Sequence, residues 1–409
     1  MSLVATYYDF VKNIRPHVVK NAELDAELVR KHNPDQLTVH SVDDYADSNL
    51  ENCLEETKNI VCQKMADESR MPVEMIKSHI QQFPEALKAQ LMTLYATINY
   101  EFHSVLNFEL SGKKTFYFND NLSDHLANTD INMKADDIEM PFASCQFVYT
   151  SESVINAMHN IRGKEGRKDM NTGGIDYKAP VSVFVTLHDS NDENLPGRKL
   201  VMVAFQARPP HKSYQILKRE LYLGEGWTLE EALRTDWEKL TPDSVQGGLS
   251  LSLNETEDVV NENVSDEIFY TDGLHFYRII LNSILYLDSD NAELTPERST
   301  RSAEEDKAKG IASVPKRRKR LKEAANTSYL DYLDVGRSVQ PIVIDKSRDS
   351  AGGGESSGTN KSFARFIVRG HWKQQVHGPK FSLRKRIRIA PYYKGPEMAD
   401  LVNKPYVVK

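Results

Sequence analysis

Residues 266–287 constrain the fold more than any other stretch. Ile268, Phe269, Leu274, Phe276, Tyr277, Ile280, Leu281, Ile284, Leu285 and Leu287 recur at helical spacing and cover more of the circumference than the single stripe that a surface helix buries. A helix of this kind needs protein around it, so the stretch predicts a central buried helix.

The chain on either side supplies what could cover it. In the first hundred residues the period is helical. Val4–Val18 carries Tyr7, Phe10, Val11 and Ile14 on one stripe, and a second helix is expected from about Leu50 to Ser69. Pro72 opens a third over Val73–Phe83, and Pro84 opens a fourth that reaches Phe102 through Leu87, Leu91, Leu94 and Ile98. The period then shortens to that of strands at Lys114–Phe118, Met140–Tyr149, Val181–Leu187, Leu200–Phe205 and Tyr214–Leu217, with short helices at Asn121–Ala127, Ser151–Asn160 and Thr228–Trp237. Asn194-Leu-Pro-Gly197 is a turn sequence, which favours antiparallel pairing of the strands it joins. After Asp290 the chain turns polar. Pro315–Lys322 holds six basic residues in eight, Ser328–Leu333 reads as a short helix and Val339–Ile344 as a short strand, and Asp349–Thr359 has the Gly/Ser composition of a flexible linker. The expectation is an α+β protein with a helical N-terminal region (1–109) and a central α+β domain (110–295), whose mixed, mainly antiparallel sheet holds the long buried helix. A charged, flexible linker (296–360) and a small basic β module (361–409) complete it.

That last module has the sharpest chemical character. Phe363–Trp372 and Leu383–Ile389 both alternate with period two, and Gly378-Pro379 lies between them, so an antiparallel pair is expected. From Lys361 onward twelve Lys and Arg face only Glu397 and Asp400, a net charge of +10. The whole chain is −7, which leaves −17 on residues 1–360. A basic sheet face on an acidic body is the footprint of a polyanion partner, most often nucleic acid. Arg365, Arg369, His371, Lys373, Arg384, Arg386 and Arg388 would supply the charge, and Tyr392 and Tyr393 rings that stack on unpaired bases. Two other readings stay open: the basic face docks on the protein's own acidic body, or it is simply solvated. His371 and His377 are the types an unassisted ribonuclease uses as acid and base, with arginines stabilising the phosphorane.

Elsewhere the motifs of catalysis and cofactor binding are missing. Cys53, Cys62 and Cys145 share no metal-like spacing and are expected as reduced thiols, there is no His-Glu-x-x-His, and neither a metal nor a cofactor is expected. No apolar run approaches the roughly 18 to 20 residues of a membrane span, and the N-terminus lacks the pattern of a signal peptide. The expected location is the cytoplasm.

Arg369-Gly370-His371-Trp372, followed by a glycine-containing turn and a basic-apolar strand, resembles the ending of a type V-A anti-CRISPR family of phages and mobile elements. Met140-Pro-Phe-Ala-Ser144 with the strand that follows, Asn282-Ser-Ile-Leu-Tyr-Leu287 ahead of Asn291-Ala-Glu-Leu294, and a Lys/Arg-rich linker occur in the same order, so the resemblance covers roughly residues 110 to 409. It implies an anti-defence protein in a bacterial host cell that lowers the amount of an effector nuclease through translation-coupled loss of its messenger. RNA or a ribosome-associated target would then be the partner. A non-catalytic inhibitor that binds a protein of the defence system is the alternative.

Overall fold

The computed structural model describes residues 6–39, 45, 47–79, 82, 84–160, 180–189, 197–208, 213–238, 250–251, 266–325, 330–342 and 366–394. The N-terminal helices are α1 (Tyr7–Ile14), α2 (Pro16–His32), α3 (Leu50–Ser69), α4 (Val73–Ser78) and α5 (Glu85–Leu110). The sequence predicts one helix across Val4–Val18, but the chain breaks at Arg15 and Pro16 opens α2. Proline cannot donate to the carbonyl four residues back, whereas at a first helical position that donor is not needed. The break lets Arg15 reach Glu101 of α5 at 2.6 Å, and the Tyr7 hydroxyl donates to the same carboxylate, all three groups being buried.

Among the described residues eight strands form one sheet in the order β6-β5-β4-β3-β2-β1-β8-β7, where β1 is Thr115–Phe118, β2 Ser144–Tyr149, β3 Val181–Asp189, β4 Gly197–Arg208, β5 Ser213–Gly224, β6 Ser250–Leu251, β7 Leu294–Glu297 and β8 Tyr332–Val335. Strand β1 runs parallel to β2 and β8, and the remaining pairs are antiparallel. Both faces of the sheet are covered, which explains the almost unbroken apolar runs of β3 and β4. Phe184, Val203 and Phe205 pack with α1, α2 and α5 on one side. Val181, Val183, Val185, Leu200, Met202 and Ala204 face the other, where α6 (Asp120–Ala127), α7 (Glu152–Asn160), α8 (Leu229–Glu238) and α9 (Asp266–Leu287) lie. Helix α9 is the buried element its sequence requires: Phe276, Ile279, Ile280, Leu281, Ile284 and Leu285 are wholly inaccessible.

The charged stretch after Asp290 is more ordered than its composition suggests. Residues 300–325 form two helices, α10 (Thr300–Lys309) and α11 (Val314–Ala325). The short helix expected at Ser328–Leu333 gives way, from Tyr332, to β8, which inserts between β1 and β7. Phe116 opposite Leu333 and Phe118 opposite Val335 set its register, and burial of Val335 outweighs local propensity. Of the strand expected at Val339–Ile344, residues 339–342 are irregular and the rest lies outside the described residues, as does the Asp349–Thr359 linker. Cys53, Cys62 and Cys145 are free and buried, and burial pushes the Cys53 thiol up to about 12.

Candidate nucleic-acid interface

The C-terminal strands make two antiparallel pairs. Strand β9 (Phe366–Val368) pairs with β12 (Tyr392–Lys394), and β10 (His371–His377) pairs with β11 (Leu383–Ile389). The expected single strand Phe363–Trp372 is therefore interrupted, at Gly370. There the backbone meets the loop after α6: the Gly370 N–H donates to the Asn128 carbonyl at 2.8 Å, and the Asp130 N–H donates to the Gly370 carbonyl at 2.9 Å. A Cβ at residue 370 would lie 2.7 Å from both the Ile389 carbonyl oxygen and Thr129 Oγ1, so only glycine fits this approach.

Register decides which face of the β10–β11 hairpin meets the body. Trp372 lies opposite Arg388, Gln374 opposite Arg386 and Val376 opposite Arg384, so these six share one face. The opposite face carries His371, Lys373, Gln375, His377, Leu383, Lys385, Ile387 and Ile389. The arginine face is the one turned inward at the base of the hairpin. The Trp372 Nε1–H donates to Asn282 Oδ1 at 2.8 Å, and Asn282, fully buried on α9, donates in turn to the carbonyls of Leu126 and Thr129. Arg386 is ion-paired with Asp288 and donates to the Asp137 carbonyl at 2.6 Å. Arg388 lies over the Tyr286 ring, 5.4 Å from its centroid, while its Nε and Nη1 have no hydrogen-bond partner among the described residues. Arg369 is paired with Asp130 at 2.6 Å.

The electrostatics follow from this docking. Burial pulls the Arg388 guanidinium below its ordinary range, and no carboxylate among the described residues pairs with it. Burial first, and the Arg388 charge second, hold the His125 imidazole of α6 down at about 4. His275 of α9 is held at about 4 by burial and then by Arg369 and Arg278. Burial raises the Asp288 carboxyl despite the pull of Arg386. Part of the basic character of this module is thus used to dock it onto acidic and aromatic groups of the body, the reading left open beside nucleic-acid binding.

The turn end of the hairpin is exposed, as are His371, Lys373 and Gln374 nearer the base. Lys380, Arg384 and Lys385 are exposed around a turn in which Phe381 stands 71% accessible and Leu383 52%, and Lys373, near the base on the face away from Arg384, is exposed as well. Lys380 and Phe381 both have positive φ, 55° and 56°, as the tight connection between β10 and β11 requires, at a cost of about 1–2 kcal/mol for a non-glycine residue. Among the predicted contact residues, His371, Lys373 and Arg384 are exposed, Tyr392 and Tyr393 are half-buried in β12, and Arg365 lies outside the described residues. The predicted acid–base pair does not assemble. His371 and His377 stand at opposite ends of β10, six residues or about 20 Å apart at strand rise, so they cannot share one phosphate.

Phe381, Asn282, Asp130 and Asp288 belong to this arrangement and were not singled out from the sequence for it. A phenylalanine among turn and basic residues, and an asparagine inside the most apolar helix, were the available signals.

Residues 116–393, more than half of the chain and including the hairpin with its Arg369–Trp372 segment, match the family model described as AcrVA2-like, the anti-CRISPR type V subtype A2 family. The chain belongs to that family. The crystal structure of AcrVA2 is similar to this chain with a TM-score of 0.37 and 9% sequence identity, over 95% of this chain and 96% of that one. A comparison with curated proteins gave no match. Membership fixes an anti-CRISPR, anti-defence context. No helix among the described residues is long and apolar enough to cross a membrane, and no group of three or more His, Cys, Asp or Glu among them is placed to hold a metal.

Proposed function

We propose that this anti-CRISPR protein acts on RNA or on a ribosome-associated target through the exposed half of its C-terminal hairpin, lowering the amount of an effector nuclease by loss of its messenger during translation. The observation that carries the reading is the clustering of an exposed aromatic with cations at the turn: Phe381 with Lys380, Arg384 and Lys385 within four residues of it, all exposed. Unpaired bases are commonly held by a ring that stacks on them and by cations that meet the adjoining phosphates. The docked base, through Trp372, Arg369 and Arg386, holds the far half in one orientation. A host that is phage-infected or carries a mobile element, and the cytoplasm as the place of action, belong to the same proposal.

The test is ultraviolet cross-linking in cells producing the protein and a type V-A nuclease, comparing the native chain with a Phe381→Ala, Lys380→Ala, Arg384→Ala, Lys385→Ala variant. Enrichment of the nuclease messenger or of ribosomal RNA, lost in the variant together with the fall in messenger, is the expected result. Equal recovery from both would sink the proposal. Inhibition that persists in the variant with no RNA recovered would instead favour a protein of the defence system as the partner.

A further inference from the structure

The basic run at residues 315–322 lies outside the hairpin. It folds as α11, packed antiparallel to α10 with Ala308 and Ala324 buried. The acids of this helical pair are nearly all engaged within it. Glu304 meets Lys307 at 2.6 Å and also Arg320, Glu305 meets Arg301 at 2.8 Å, and Asp306 meets Lys309 at 2.9 Å and also Arg298. Glu323 is the one acid on α11, 4.0 Å from Lys319. Lys316, Arg317, Arg318 and Lys322 are exposed and have no acidic partner among the described residues.

Two of the four oppose the helix dipole, while Lys322 lies in the last turn, where a cation is favoured. Arg318 and Lys322 are four apart and stack on one face, where like charges repel, and Lys316 and Arg317 sit in the first turn, where the helix dipole is already positive. A helix built only for its own stability carries acids there, and α11 has none in that turn.

We propose that the exposed face of α11 is a second contact surface for a nucleic-acid backbone, binding phosphates without sequence preference. That the nucleic acid is RNA rests on the function proposed above; the charge complementarity of α11 does not. The positive helix terminus and the four free cations favour the same ligand charge, and at about 1.5 Å per residue the 12-residue helix is about 18 Å long, enough to meet more than one phosphate.

The experiment is a salt titration of full-length protein on a mixed-sequence single-stranded RNA. Its variant is Lys316→Gln, Arg317→Gln, Arg318→Gln, Lys322→Gln, with folding checked by circular dichroism. Each phosphate contact contributes about 0.7 to the slope of log K against log salt on a single strand, so loss of four lowers the slope by about 2.8. The double variant Arg318→Gln, Lys322→Gln should lower it by about 1.4. An affinity and slope equal to those of the native chain overturn the inference. A parallel Phe381→Ala, Lys385→Ala variant separates the two proposals: if it alone loses binding, the hairpin reading stands and α11 fails. If the α11 variant alone loses binding, the reverse holds. A native chain that binds no RNA at any salt ends both.

Discussion

Replacing Trp372 by phenylalanine should release the base of the hairpin while leaving the rest of the protein folded. The indole is 3% exposed and its Nε1–H is the donor to Asn282 Oδ1 at 2.8 Å. Asn282 cannot turn that oxygen toward water, because its amide nitrogen is fixed between the carbonyls of Leu126 at 2.9 Å and Thr129 at 2.7 Å. Phenylalanine keeps an apolar ring but leaves a buried acceptor unpaired, which costs about 1–3 kcal/mol, and the smaller ring leaves a void worth about a further 1 kcal/mol. A loss of about 2–4 kcal/mol of docking energy corresponds to roughly a 30- to 1000-fold rise in the open population. Hydrogen exchange reads this directly: amides of residues 366–377 and 383–394 should lose protection by such factors, while those of β3 and β4 hold theirs. A double-mutant cycle with Asn282→Ala should give a coupling of about 0.5–3 kcal/mol. Exchange in the hairpin unchanged within about twofold, a resolution far finer than the 1.4 kcal/mol of a tenfold change, would refute the reasoning, since the tryptophan would then not be what anchors it.

Other perturbations follow from the same interface. Gly370→Ala puts a carbon 2.7 Å from the Ile389 carbonyl oxygen and from Thr129 Oγ1, so backbone must move; limited proteolysis should cut the C-terminal strands sooner, by an effect of about 1–3 kcal/mol. Arg386→Met strands the partly buried Asp288 and should lower stability, whereas Arg388→Met removes a desolvated cation with two unpaired N–H groups and should cost under about 1 kcal/mol or stabilise; paired denaturant melts check the order. His125 and His275 are held near 4 when folded, below the ordinary value of about 6.5, so the unfolded chain binds more protons between those values. Their contribution is complete above about pH 6.5 and is lost as pH falls toward about 4, with the raised Asp288 carboxyl working the other way. Hairpin exchange followed from pH 7.5 to 4.5 should show docking weaken across that window, less so in His125→Gln.

The sequence was most informative where burial is two-sided. The runs at 181–187 and 200–205 and the stripes of α9 and α5 all appear as elements of the expected type, although α5 continues past Phe102 to Leu110 and β4 extends to Gly197–Arg208, because covering both faces of the sheet leaves few alternatives for such apolar stretches. Local pattern was weakest where long-range contacts decide. Tyr332–Val335 becomes a strand because β1 offers a parallel edge, and Arg15–Pro16 becomes a break between helices that carries a buried ion pair to Glu101. In the C-terminal module the alternation was legible but its polarity was not. Arg386 and Arg388 alternate with Ile387 and Ile389 whichever face is inward, and only the positions of Asp288, Tyr286 and Asn282 on a distant helix settle which one is. The same ambiguity affects the arginine triple variant that the sequence alone would suggest. Removing Arg384, Arg386 and Arg388 together perturbs docking as much as any ligand contact, whereas Phe381, Lys380, Arg384 and Lys385 leave the base intact.

The division of the hairpin into a docked base and a ligand-facing far half is tested most directly by mapping protein–RNA cross-links to single residues on the full-length protein in cells. The expected result is attachment at Phe381 and its neighbours from Lys380 to Lys385, with Trp372 and Arg388 unmarked. Cross-links concentrated at Trp372, Arg386 and Arg388 would mean that the arginine face leaves the body to bind RNA, and would contradict the docked geometry.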